Sequence, residues 1–452
     1  MNRRDLLKSL SCGFGYVAFA AEASRGAAFQ GGHAGILAGI PGASKAPLAP
    51  RAPHFPAKAK RVIFLYMQGA PSQHETFDYN PELTAAATSG NVMPPAFKFQ
   101  KCGQSGLPIS ELFPNLGKQA DELCLLNGMT TDSPAHPQAT IELHTGSFNF
   151  VRPSMGAWVV YGLGTENQDL PGFITINPNG LGGSQNYGSA FLPATYQGTP
   201  YQTRTGKLPN IANPDLTTDA QRKQIDLIQS LNKDYLHKAT VDPEVEGVIQ
   251  SYEMAFRMQS SVPGILDIKG ESEATKKMYG LDQTATRDFG TQCLLARRMA
   301  EAGVRFIEVS HGNWDHHNNL RTRITQTSRE IDQPIAALIE DLKQRGLLKD
   351  TLLVWGGEFG RTTTGQNGDG RNHNNRGFTM WMAGGGIKGG MRYGATDAVT
   401  GSAVTGKVHL HDLHATILNQ LGLDHTKLTY RYGGRDFRLT DVHGNVVKEI
   451  SS

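Results

Sequence analysis

A chain of 452 residues with a formal charge of +3 is too long for a peptide and too nearly neutral for a polyelectrolyte binder, so nucleic acid is not an expected partner. It can bury a full core, as one large α/β domain or two smaller ones. Its 52 glycines are scattered or in short clusters without a repeat, which excludes a fibre.

The chain opens with "MNRRDLLKSLSCGFGYVAFAAEAS". A twin arginine (Arg3, Arg4) precedes Leu6 and Leu7, a mild apolar run follows, and Ala21-Glu22-Ala23 forms an A-x-A site. Residues 1–23 therefore read as a twin-arginine export signal, with the export machinery as partner and a periplasmic or secreted location for the mature chain. No later stretch has the apolar length of a membrane span. Residues 24–60, rich in Gly, Ala and Pro, read as a flexible leader. Beyond the signal only Cys102, Cys124 and Cys293 remain; no C-x-x-C pair exists, and the cysteines are expected to carry no chemistry.

A single domain is expected over residues 61–452. "RVIFLYM" (Arg61 to Met67) is a short continuous apolar run that suits a strand covered on both faces. Similar runs lie at Glu122 to Met129, Gly303 to Ser310, Thr351 to Gly357 and Phe378 to Gly385. Helical spacing of apolar residues predicts helices over Ala285 to Gly303, Ser328 to Leu348 and His411 to Leu423, the last with Asp412 as N-cap. Strands alternating with helices predict an α/β fold, a doubly wound, mainly parallel sheet with helices on both faces. Ligands of such sheets gather beyond the carboxyl ends of the strands.

Polar residues collect at those ends. The first strand runs into His74, Glu75 and Asp78, and the second into Asp132, Ser133 and His136. "HGNWDHHNN" follows the third with Asp315, His316 and His317; "GGEFGRT" follows the fourth with Glu358 and Arg361; "GRNHNNRG" then supplies His373. Nitrogen and oxygen donors without thiolates suit a divalent cation such as zinc, manganese or calcium and not a structural zinc cage. Each piece also has a plainer explanation. Asp315-His316-His317 makes a good solvated turn, Glu358 can pair with Arg361 or Arg371, and His409, His411 and His414 are explained by capping and packing.

These stretches carry a resemblance. "GAPSQHETFD", "HPQATIELHTG", "NWDHHNN", "TLLVWGGEFGRT", "GRNHNNRGFTMWMAGGGIKGG" and the ending from "LHDLHATILNQLGL" are similar to the domain of unknown function 1501 family, exported proteins related to sulfatases and alkaline phosphatases. The resemblance implies an alkaline-phosphatase-like fold. It puts Asp315, His317, Glu358 and His373 at metal-binding positions, with Glu75 or Asp78 replacing aspartates that this first strand lacks. Phe359 stands where the superfamily has a histidine, and His136 stands at the nucleophile position, where it can serve as nucleophile, metal ligand or general acid. Formylglycine chemistry is not expected, since no cysteine occurs there. Arg361 is expected to meet charge on a transferred group. The expected activity is metal-dependent hydrolysis of phosphate or sulfate esters, on an anionic small molecule or glycan. The alternative is a catalytically silent relative that binds an anionic glycan or a partner protein.

Overall fold

The computed structural model describes residues 47–88, 92–178, 180–206, 215–238 and 243–452. The export signal at 1–23 and the leader as far as residue 46 lie outside the described residues. In chain order the elements used below are β1 (Arg61–Met67), β2 (Leu123–Thr130), α1 (His136–Thr145), α2 (Met155–Leu163), β3 (Phe173–Ile176), β4 (Thr199–Tyr201), α3 (Thr218–Lys238), α4 (Pro243–Leu266) and α5 (Arg287–Glu301). They continue with β5 (Phe306–His311), α6 (Leu320–Gln344), β6 (Thr351–Gly356), β7 (Gly360–Gln366), β8 (Gly370–Asn374), β9 (Phe378–Ala383), β10 (Met391–Tyr393), β11 (Val408–His409) and α7 (Leu410–Gln420).

β1 is buried along its whole length, and its side chains alternate between two cores. Ile63, Leu65 and Met67 pack with Leu294 of α5 and Ile335 of α6. Val62, Phe64 and Tyr66 pack with Trp158 of α2 and Ile417 of α7. Helices thus cover both faces of the sheet, which is why its central strands are continuous apolar runs. The strand order is β10-β2-β9-β6-β1-β5-β3-β4, with β11 also paired to β2. β9 runs antiparallel to β2 and β6, and the other pairings of this sheet are parallel. The result is a mixed, mainly parallel α/β fold. β1 lies between β5 and β6, so its carboxyl end shares one rim with theirs. Among the described residues no helix is long and apolar enough to cross a membrane.

Three sequence expectations need correction. α6 begins at Leu320 and not at Ser328, because Leu320, Ile324 and Thr327 extend the buried face by two turns and Asp369, from the β7–β8 turn, accepts the Leu320 and Arg321 N–H groups. The N-cap of α7 is His409, and Asp412 sits at the third helical position and accepts the His409 N–H, closing a capping box. The leader, expected to be flexible through Lys60, is docked from residue 47 onward. Leu48 is buried, and Arg51 lies over the rings of Tyr161 and Tyr196 at 5.7 and 5.8 Å. The backbone of His54 and Lys58 donates to Gly422 and Gln420.

Candidate metal centre

Loops leaving β2, β5 and β6 bring four side chains to one point. His136 is the first residue of α1, six residues beyond the end of β2, and Pro137 follows it in the first turn, where its missing N–H costs nothing. Asp315 and His317 come from the loop after β5, and His373 from β8 of the hairpin after β6. One ligand atom of each of His136, Asp315, His317 and His373 lies within 4.8 Å of all the others, and all four residues are partly buried.

Hydrogen bonds on the far side of each ring decide what the rings present. His136 Nδ1 lies 2.5 Å from Glu358 Oε1, His317 Nδ1 2.7 Å from Gln366 Oε1, and His373 Nδ1 2.7 Å from the carbonyl oxygen of Pro134. Each oxygen accepts, so each Nδ1 carries a hydrogen and each Nε2 is the atom that faces the centre, able to hold a proton shared with Asp315 or, without it, to offer a lone pair. Asp315 Oδ1 stands 3.0 Å from Nε2 of His317, 3.3 Å from that of His136 and 3.5 Å from that of His373. The Nε2 atoms of His317 and His373 are 2.9 Å apart, a distance that a proton shared between the rings satisfies and that also lets both nitrogens face one ion. Phe359 packs against both the His136 and the His373 rings at 4.6 Å between centroids, so it helps to set two ring planes.

The electrostatics also call for positive charge at this point. Burial opposes protonation of His136, but hydrogen bonds to Asp315 and Glu358 outweigh it and raise its pKa to about 9. For Asp315, burial is overcome by hydrogen bonds from His136 and His373 and by Arg361, which hold its carboxyl well below the usual carboxylate range.

Glu358 does not face the cluster. It is wholly buried behind His136, accepting from Gly69 N–H at 3.0 Å and from the Tyr66 hydroxyl at 3.2 Å. Burial and the Glu358 charge hold the Tyr66 pKa well above its ordinary value, so the hydroxyl keeps its proton and donates it. Gly69 has φ +102°, and a Cβ there would meet the Asp315 backbone nitrogen at 2.7 Å, so the end of β1 can approach the Asp315 loop only as glycine. Arg361 is wholly buried as well. Its guanidinium donates to the Gly69 carbonyl at 2.5 Å, the Ala70 carbonyl at 3.0 Å and Asp315 Oδ1 at 2.6 Å. It is buried behind Asp315 and positions that carboxylate, whereas the sequence reading expected it to meet charge on a transferred group.

Glu75 and Asp78 do not join the four. Glu75 is wholly buried against Arg371, with Nη2 2.8 Å from Oε1, and Ser72 donates to it too. Arg371 further donates to the carbonyls of Thr362, Thr363, Met93 and Pro94, so the pair bolts the β7–β8 hairpin to the segment after β1. Asp78 accepts from Thr396 at 2.6 Å and pairs with Arg392 at 3.4 Å; burial, opposed by these two, raises its pKa to about 6. Ser133 accepts the Ala135 N–H within its turn. The supports that sequence reasoning missed are Tyr66, Gln366 and the Pro134 carbonyl. The first reads as core, and the other two carry no chemical signal before the chain folds.

Residues 59–451 match the model of a family described as Protein of unknown function (DUF1501). The chain belongs to this family. No curated protein matches it. Among solved structures it is similar to the lipoteichoic acid synthase LtaP from Listeria monocytogenes, with 12% identity, a TM-score of 0.41, and coverage of 85% of this chain and 76% of that one. It is similar to the PsFucS1 sulfatase from Pseudoalteromonas sp., with 14% identity, a TM-score of 0.37, and coverage of 81% and 68%. It is also similar to an alkaline phosphatase from the Antarctic bacterium TAB5, with 9% identity, a TM-score of 0.36, and coverage of 81% and 99%.

Proposed function

We propose that this protein is a metal-dependent hydrolase of phosphate or sulfate esters, acting outside the cytoplasm after twin-arginine export, with His136, Asp315, His317 and His373 holding a divalent ion. The observation that carries the reading is the convergence of three Nε2 atoms on Asp315 Oδ1, each ring fixed from behind by an oxygen. Three nitrogens and one oxygen suit zinc or another first-row ion better than calcium, which takes six to eight oxygens. Such an ion, when bound, polarises an ester oxygen and lowers the pKa of a coordinated water.

The protein's own groups do the rest. Glu358 keeps the His136 hydrogen on Nδ1 and the ring in place. Arg361 holds the Asp315 carboxylate against the end of β1 and partly offsets the charge of the two carboxylates. Phe359 shields one side of two imidazoles from water. A second reading, an anionic glycan or partner protein bound without turnover, is favoured by one feature: the four-residue cluster includes no hydroxyl or thiol nucleophile.

Elemental analysis of the purified full chain, beside the double variant His317→Ala/His373→Ala, tests the proposal. The wild type is expected to hold one equivalent of transition metal more than the variant and to hydrolyse members of a phosphate and sulfate ester panel in a chelator-sensitive way. Equal metal content in the two proteins sinks the metal centre. A metal difference without turnover of any ester leaves the binding reading in its place.

A further inference from the structure

The loop that ends in His136 begins beside another convergence. Asp132 lies four residues before His136, Glu142 lies on α1, and His409 caps α7. One ligand atom from each of these three residues lies within 4.8 Å of the others. Glu142 is 1% exposed. Its Oε2 accepts from Thr131 Oγ1 at 2.7 Å and from the Asp132 N–H at 3.2 Å. Its Oε1, equally buried, has no hydrogen-bond partner and lies 3.6 Å from His409 Nε2. Asp132 Oδ1 approaches the same nitrogen at 3.2 Å.

Two further observations point to a cation. Thr130 pairs with His409 in the parallel register of β2 and β11, so both side chains leave the same face, and the buried Thr130 Oγ1 also has no partner. Among the described ion pairs neither Asp132 nor Glu142 meets a lysine or arginine; His409 is their common partner. Buried carboxylate oxygens are paired with donors or with metal ions in native folds. Here one imidazole faces two carboxylates and one buried oxygen of them is left over.

We propose that Asp132, Glu142 and His409 form a second divalent-cation site, separate from the four-residue cluster and independent of the hydrolase reading. Two carboxylates and one imidazole make an oxygen-rich donor set, suited to a manganese-like ion. His409 Nδ1 accepts the His411 N–H at 3.3 Å, which leaves the ring hydrogen on Nε2. A cation on Nε2 moves that hydrogen to Nδ1 and displaces this long contact, while the other half of the capping box, the His409 N–H to Asp412 bond at 2.9 Å, stays.

The test uses the full chain carrying His317→Ala/His373→Ala, stripped of metal and titrated with Mn²⁺ while free ion is followed by electron paramagnetic resonance. One equivalent of Mn²⁺ is expected to bind, with affinity at least tenfold weaker after Glu142→Gln or Asp132→Asn. Asp132 has a largely exposed side chain, so its substitution keeps the test valid if Glu142→Gln does not fold. No Mn²⁺ bound in the double variant, or unchanged affinity in the folded Asp132→Asn protein, overturns the site. Because two of the four ligands of the first cluster are already removed, failure of that cluster leaves this result unaffected.

Discussion

Glu75 and Glu358 are both wholly buried carboxylates placed just beyond strand ends, and they serve different ends because their partners differ. Glu75 meets the forked guanidinium of Arg371, and the pair locks a hairpin. Glu358 meets an imidazole, an amide N–H and a phenol, and its charge acts through the His136 ring onto the nitrogen on the far side. Burial and position are alike, and the chemistry of the partner separates structure from site.

The comparison is broken most forcefully at Arg371. Arg371→Met leaves Glu75 buried without its cation and is expected to cost about 3–5 kcal/mol in urea unfolding; a loss under about 1 kcal/mol would remove the bolt from the account. Asp78 sharpens it through pH. Its folded pKa of about 6 lies above its ordinary 3.8, so it contributes stability below about pH 4 that is lost as pH rises through 6. The loss is up to about 3 kcal/mol, at roughly 1.4 kcal/mol per unit. Asp78→Asn keeps an acceptor for Thr396 without the charge, so its stability relative to wild type is expected to climb between pH 4 and 7. A flat difference would contradict the burial argument.

On the other side of the comparison, Glu358→Gln is expected to weaken metal binding by about 10- to 100-fold, the usual effect of removing a group that orients a ligand histidine. Competition with a chelator of known affinity measures it, and unchanged affinity would make Glu358 a second Glu75. The smallest effect is expected from Tyr66→Phe, which removes one hydrogen bond to Glu358. About 1 kcal/mol of stability should be lost, with less change in metal affinity than for Glu358→Gln.

Much of the fold was legible before the structure. The apolar runs at Arg61–Met67, Thr351–Gly356 and Phe378–Ala383 are strands because a sheet covered on both faces leaves no polar positions. The extra turns of α6 were not legible, since its start is capped by Asp369 from a distant hairpin. Nor was the docked leader, whose Arg51 finds its aromatic partners more than a hundred residues away. At the centre, Asp315, His317 and His373 were read as candidate ligands from their places after strands, and the structure gathers them with His136. Glu358, singled out by the same rule, stands behind the cluster.

By itself the amino-acid sequence determined the alternation of strands and helices and the rim where polar residues collect, because period and apolar run length are local properties. It also carried the family motifs. Only the tertiary structure decided which atoms meet. A carboxylate faces an imidazole cluster, an arginine or a histidine's back according to contacts across some 220 to 300 positions of chain, as Glu358 with His136 and Glu75 with Arg371 show. Which nitrogen of an imidazole points inward depends on an oxygen supplied by another loop, and no pattern within the sequence encodes that meeting.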